Sequence, residues 1–162
     1  MVIEFKDLAL VRKKHKNQRI ILAGGVFDIL HLGHVKYFND LKKMGDILVI
    51  AVSSDKRVRE RKGKERPILT QTARVRLVAE LKSVDYALIA PGMKKDEVVP
   101  TTQVIKTLKP DVFVTPDKRW IEYKNTVAPY GVKLKIVKIK KINSTTNIIQ
   151  RVLKTYGILY KP

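Results

Sequence analysis

His31 and His34, three positions apart with Gly33 between them, are the side chains in this sequence best placed to do chemistry. They follow the turn Gly24-Gly25-Val26-Phe27-Asp28. If that turn opens a helix, the helix mouth brings unpaired N–H groups and the positive end of a dipole, which attract phosphate. Two imidazoles there add donors that can carry charge as negative charge builds up. Gly33 would let a phosphate approach the backbone closely. The chemistry that suits this set is attack on phosphorus, whose transition state spreads negative charge over equatorial oxygens. Two duller readings stand beside it. One is a helix cap with two solvated histidines. The other is a metal site, but no carboxylate or third histidine lies at ligand spacing, and His15 sits apart in a Lys-rich segment.

A second polar cluster, Ser144-Thr145-Thr146-Asn147, precedes the apolar pattern Ile148-Ile149 to Val152-Leu153. Alone it is an N-cap, because hydroxyls satisfy orphan N–H groups. If it opens a helix after the last strand, its hydroxyls and N–H groups also face the ligand side of a sheet.

Both clusters need elements to hold them. The apolar run Ile20 to Ala23 predicts a strand that ends in the glycine turn, and a helix from Gly33 to Met44 is stopped by Gly45. Ile47 to Val52 is a continuous apolar run, typical of a strand buried on both faces. Residues 86–89, 112–114 and 134–137 read as three further strands. Helical patterns cover residues 3–15, 70–82, 98–107 and 144–156, with a weaker one over 118–128. Asp55 to Arg66 is a charged stretch with seven basic residues and no assigned element. Strands alternating with helices predict a Rossmann-like α/β fold, a doubly wound five-stranded parallel sheet. Ligands in such sheets sit beyond the strand C-terminal ends, where the glycine turn falls.

The 162 residues suit one domain, 1–162, with residues 1–17 as an N-terminal helical extension. No apolar run reaches bilayer length and there is no signal-peptide pattern, so a cytoplasmic protein is expected, with no membrane partner. Cys is absent, which excludes disulfides and thiolate metal sites. The formal net charge of +19 implies polyanionic company. Nucleotides and sugar phosphates fit it. The basic residues are spread along the whole chain with no aromatic-studded basic strand, which argues against a nucleic-acid partner. The Lys-rich, Ile/Val-rich composition also fits a thermophile's surface.

Gly25-x-Phe27-Asp28-x-x-His31-x-Gly33-His34, taken with the Ser144-Thr145-Thr146 cap, resembles the cytidylyltransferase-like nucleotidyltransferases over nearly the whole chain. The wording around His31 and Tyr37, Ala51-Val52-x-Ser54-Asp55, Lys62-Gly63, Arg66-Pro67 and Ser144 to Ile149 is similar to one branch, the heptose 1-phosphate adenylyltransferases of ADP-heptose synthesis. The resemblance implies nucleotidyl transfer. A phosphorylated acceptor, best a sugar or heptose 1-phosphate, attacks the α-phosphate of ATP (or CTP) and releases pyrophosphate. It implies His31, His34 and Lys62 as catalytic residues, with Arg61 a substitute for Lys62. It implies nucleotide contacts from Gly25, Val26, Phe27, Asp28, Gly33, Arg74, Asp117, Ser144, Thr145 and Thr146. Mg²⁺ would be held by the triphosphate with no protein ligands, and the protein would be a homodimer. Transfer to flavin mononucleotide, or cytidylyl transfer to glycerol 3-phosphate, are the alternatives within the class. A non-enzymatic nucleotide or nucleic-acid binder is the alternative outside it. The chain departs from the branch at Gly24, Thr72 and Pro116, and residues 91–100 look like an insertion. Glycerol-type relatives carry an Arg before the hydroxyl cap, where this chain has Lys138-Ile139-Lys140-Lys141-Ile142. Trp120 either stacks on a base or sugar, or packs in the core.

Overall fold

A computed structural model of the chain describes residues 1–92, 101–138 and 143–157. Residues 93–100, most of the expected insertion, and residues 139–142 of the lysine-rich approach to the hydroxyl cap lie outside the described residues.

Five strands form one sheet: β1 (Ile20–Gly25), β2 (Ile47–Val52), β3 (Tyr86–Ile89), β4 (Val112–Thr115) and β5 (Lys133–Ile136). Their order is β3-β2-β1-β4-β5, and every pairing is parallel. Ile20 pairs with Ile47 and Ile21 with Val112. Every residue of β2 is buried, as its unbroken apolar run requires, because parallel strands are covered on both faces. Alternate side chains of β1 serve two separate cores. Ile20 and Leu22 pack with Leu8, Val11, Val104, Ile105 and Leu108, from helices α1 (Leu8–Lys14) and α5 (Thr101–Leu108). Ile21 and Ala23 pack with Tyr37, Phe38, Leu41, Val75 and Val78, from α2 (Leu32–Lys42) and α4 (Gln71–Ala79). The doubly wound, Rossmann-like sheet expected from the sequence is what the chain adopts.

The charged stretch after β2 is not loop throughout. It begins as α3 (Asp55–Lys62), capped by Ser54, whose Oγ accepts from the Arg57 N–H at 3.3 Å, and closed by Gly63 at φ +92°. Val58 is its one buried residue. The weak pattern over 118–128 resolves into a 3-10 turn (Lys118–Ile121), the short helix α6 (Lys124–Val127) and a second 3-10 turn (Ala128–Tyr130). The last helix, α7 (Thr145–Thr155), buries none of its residues.

An aspartate stands immediately before each of β2, β3 and β4 and accepts an N–H at the start of a neighbouring strand. Asp46 takes Arg19 at 2.7 Å, Asp85 takes Leu48 at 2.7 Å and Asp111 takes Ile20 at 2.7 Å. Carboxylates thus gather at the N-terminal end of the sheet, away from the glycine turn. At the β3 edge the segment around Val2 forms a parallel bridge to Ala87, whose N–H donates to Met1 and whose carbonyl accepts from Ile3. At the opposite edge, β5 exposes Lys133 and Lys135 between the half-buried Leu134 and Ile136.

Candidate active site

β1 ends in Gly24-Gly25, and the chain reverses through Phe27 at φ +50°, a left-handed conformation rare outside glycine. The reversal folds the Phe27 ring back over Gly25. A Cβ at Gly25 would stand 2.5 Å from Cζ of that ring, so glycine lets the ring lie where it does. Phe27 in turn meets His34 edge-on at 5.4 Å and Phe38 at 4.9 Å.

His31 is the N-cap of α2, and its carbonyl accepts from the N–H groups of His34 (2.8 Å) and Val35 (3.3 Å). Its side chain makes no capping bond, which leaves the imidazole for another purpose. The two imidazoles stack at 3.8 Å between centroids and 18° between planes. Both Nδ1 atoms are buried with no partner among the described residues. Burial lowers the pKa of His31, and burial, then His31 and Lys62, lower that of His34 to about 4. Both rings are therefore neutral at rest near pH 7. Gly33 is also steric: a Cβ there would lie 2.9 Å from His31 Nδ1 and 3.6 Å from the carbonyl oxygen of Asn143, which precedes α7.

The mouths of α2 and α7 thus abut. Ser144 caps α7, its Oγ accepting from the Asn147 N–H at 3.1 Å. A cleft of about 980 Å³ opens over the C-terminal ends of the strands. It is lined by the glycine turn, His31, Gly33, His34, Lys62, Asp117, Ser144, Thr145 and Thr146. All the site residues predicted from the sequence line it except Arg74.

Arg74, expected as a nucleotide contact, is instead fully buried behind the cleft. Its guanidinium donates to the carbonyls of Leu69 (3.0 Å), Val26 (2.5 Å) and Ser53 (2.8 Å) and to Asp55 Oδ1 (2.6 Å). It ties the turn after β1, the end of β2 and the start of α3 together. The expectation failed because charge in a sequence does not reveal whether its partners lie in the protein or in a ligand.

Asp28 lines the cleft but is 1% exposed. It accepts from Arg66 Nε (3.0 Å) and Nη2 (2.7 Å) and from the N–H groups of Ile68 (3.0 Å) and Leu69 (2.9 Å). Burial alone would raise its pKa, but the Leu69 and Ile68 N–H groups and the Arg66 guanidinium outweigh it, and the net shift is downward. Asp117 caps the 3-10 turn after β4, and Arg119 beside it holds its carboxyl below the usual range. Each acidic residue of the cleft is thus already paired with an arginine. Among the described residues no three His, Asp or Glu side chains gather to hold a metal ion.

The cations are less committed. Lys62 ends α3, and its pKa is lowered first by desolvation, then by Arg66 and Arg61. Arg57, Arg61, Lys118 and Lys138 also line the cleft. Sequence reasoning gave Arg57 no role; the helix bracketed by Ser54 and Gly63 was the signal that would have placed it. Trp120 packs in the core, against Phe113 at 4.5 Å and Tyr123 at 6.1 Å; it is 8% exposed and also lines the cleft. Tyr37, one turn after His34, has a buried hydroxyl with no partner among the described residues, and burial raises its pKa.

A family described as cytidylyltransferase-like matches residues 22–155. The bifunctional protein HldE of Geobacter metallireducens is 38% identical over 150 residues, 90% of this chain and 29% of that protein. HldE of Nitratiruptor sp. is 37% identical over 153 residues, 91% of this chain and 31% of that one. The chain therefore spans less than a third of the length of these curated relatives. Among solved structures, a lipopolysaccharide core biosynthesis protein from Thermoplasma volcanium is 36% identical, with 78% of this chain and 99% of that chain aligned at a TM-score of 0.63. Pantoate-beta-alanine ligase from Francisella tularensis, complexed with beta-gamma ATP and beta-alanine, aligns with 100% of this chain and 80% of its own at a TM-score of 0.64. At 15% identity that likeness concerns the fold alone.

Proposed function

The chain belongs to the cytidylyltransferase-like family of nucleotidyltransferases, and we propose that it transfers the adenylyl group of ATP to the phosphate of a sugar 1-phosphate, with heptose 1-phosphate the first candidate. The observation that carries this reading is the convergence of two helix mouths on one cleft, one bearing the stacked imidazoles and the other the hydroxyls of Ser144, Thr145 and Thr146. The HldE relatives and the lipopolysaccharide core biosynthesis protein support a sugar acceptor.

In this reading an oxygen of the acceptor phosphate attacks the α-phosphorus. The new P–O bond forms as the bond to the β-phosphate oxygen breaks, and pyrophosphate leaves with the electron pair. No side chain becomes covalently attached. His31 and His34 donate to the oxygens that gain charge, and the polyanion itself raises their pKa values towards protonation. Ser144, Thr145, Thr146 and the N–H groups of α7 hold the outer phosphates. Gly25, Val26, Phe27 and Gly33 give the backbone close approach, and Lys62 neutralises phosphate. Asp117 sits beside the nucleotide. Asp28 and Arg74 position the loop rather than touch substrate. Mg²⁺ bound to the triphosphate would shield its charge, and the carboxylates of the cleft, already paired with arginine, leave it to phosphate oxygens. A cytoplasmic homodimer completes the reading.

The test is a grid of ATP and CTP against heptose 1-phosphate, other sugar 1-phosphates, flavin mononucleotide and glycerol 3-phosphate, read by pyrophosphate release. Release with ATP and a sugar 1-phosphate is expected. Release only with flavin mononucleotide or glycerol 3-phosphate, or none at all, overturns it.

A further inference from the structure

Tyr37 lines the cleft, where its phenol is a neutral donor among imidazoles and cations. The residue is 8% exposed, and its hydroxyl is buried with no partner among the described residues. Thr102 has the same kind of orphaned hydroxyl, but Thr102 does not line the cleft. A buried hydroxyl without a hydrogen bond costs free energy, and an acceptor on a ligand would remove that cost. Burial also raises the pKa of Tyr37, which keeps the proton on the oxygen.

Its place on α2 says which part of a ligand the hydroxyl meets. Tyr37 stands four residues after Gly33, so the two lie on one ridge of the helix. That ridge faces α7: a Cβ at Gly33 would be 3.6 Å from the carbonyl oxygen of Asn143, just before the Ser144 cap. Val137, which leads from β5 towards α7, packs against the apolar cluster that contains Tyr37. Long side chains on a helix lean back towards its N-terminus. The phenol therefore runs from the body of α2 towards its mouth, along the seam where α2 and α7 meet. The mouth of α3, which follows β2, lies on the other side of β1.

Resting on the reading that places the α-phosphate at the imidazoles and the outer phosphates at the mouth of α7, we infer that the Tyr37 hydroxyl donates a hydrogen bond to a non-bridging oxygen of the leaving pyrophosphate. Charge grows on that group as its bond to the α-phosphorus breaks, so the hydrogen bond strengthens in the transition state. Pyrophosphate departs with the electron pair, and the phenol keeps its proton. As a neutral donor, Tyr37 grips the leaving group without adding a fixed charge that would also hold the released product.

The experiment is Tyr37→Phe, which keeps the ring and removes only the orphaned oxygen. Without ligand the variant should melt no lower than the wild type, because no protein hydrogen bond is lost among the described residues. Calorimetry then gives the affinity for α,β-methylene-ATP, and for inorganic pyrophosphate by displacement of that analogue. Both should fall about tenfold or more in the variant, the usual loss for a hydrogen bond to a charged group. A lower melting temperature would reveal a partner within the protein and overturn the inference. Unchanged affinity for either probe overturns it too, as does pyrophosphate that fails to displace the analogue from the wild type; these results leave nucleotidyl transfer standing. A wild type that binds no analogue overturns both.

Discussion

The imidazoles of His31 and His34 lie face to face, 3.8 Å between ring centroids. Two cationic rings cannot share that distance without strong repulsion, and burial lowers both pKa values, so near pH 7 the pair is neutral until an anion arrives. The site is thereby poised to gain positive charge when negative charge enters it.

Removing either ring should cost catalysis rather than folding. His31→Ala and His34→Ala should each lower kcat by about 10²–10³, the usual loss for one transition-state donor. Pyrophosphate release and the melting temperature, measured on the same samples, check this. A fully active double variant would sink the role assigned to the pair.

His34 should also give the fold a pH dependence. Its pKa is about 4 in the folded protein, against an ordinary value near 6.5. Below about pH 6.5 the unfolded chain takes up a proton that the folded chain refuses until about pH 4. Stability from this group is therefore complete above pH 6.5 and is lost as the pH falls towards 4. Denaturant midpoints at pH 7 and pH 4.5 should drop more for the wild type than for His34→Gln. Equal drops would show that the ring is not the source.

Binding should move protons in the other direction. A triphosphate beside the rings favours the imidazolium form, so α,β-methylene-ATP should bind with proton uptake at pH 6. Calorimetry in two buffers of different ionisation enthalpy measures it. The uptake should shrink in His34→Gln, and zero uptake in the wild type would contradict the electrostatic account.

Gly33→Ala is a test of geometry alone. Its Cβ would lie 2.9 Å from His31 Nδ1, so the ring must rotate out of its stack. Because the obstacle is a side chain that can turn, the fold should survive. Misplacing a group by about 1 Å can cost on the order of 10²-fold in rate, and a loss of that order in kcat is expected with little change in melting temperature. Wild-type kcat would show that the stack does not matter.

Arg74→Leu should act on stability. It strands Asp55 and three carbonyl groups that the guanidinium now satisfies in a fully buried position. Breaking a buried pair by removing one partner costs about 3–5 kcal/mol. A denaturant-unfolding curve reads it directly, and a change under about 1 kcal/mol would rule out the structural role.

The apolar pattern was a good guide wherever burial governs local structure. Ile47 to Val52 reads as a strand covered on both faces and is one. The alternation Lys133-Leu134-Lys135-Ile136 belongs to a strand half covered, and β5 is that strand. α3 escaped because Val58 is its only buried residue, so no apolar period marks it. The glycine turn and both helix mouths were legible because each rests on residues close together in the chain. The Asp28–Arg66 pair, 38 positions apart, and the four bonds of Arg74 were not. Whether a charged side chain faces a ligand or another part of the protein is decided by tertiary packing, which one sequence does not display.

The two edges of the sheet also bear on how copies of this protein behave together. An uncovered strand edge is a template for another chain's strand, the first step in aggregation. Here the bridge of Val2 to Ala87 occupies part of the β3 edge, and Lys133 and Lys135 put charge along β5. Intermolecular strand addition is opposed at both ends, so thermal unfolding should leave more of the protein recoverable on cooling than a bare-edged sheet would allow.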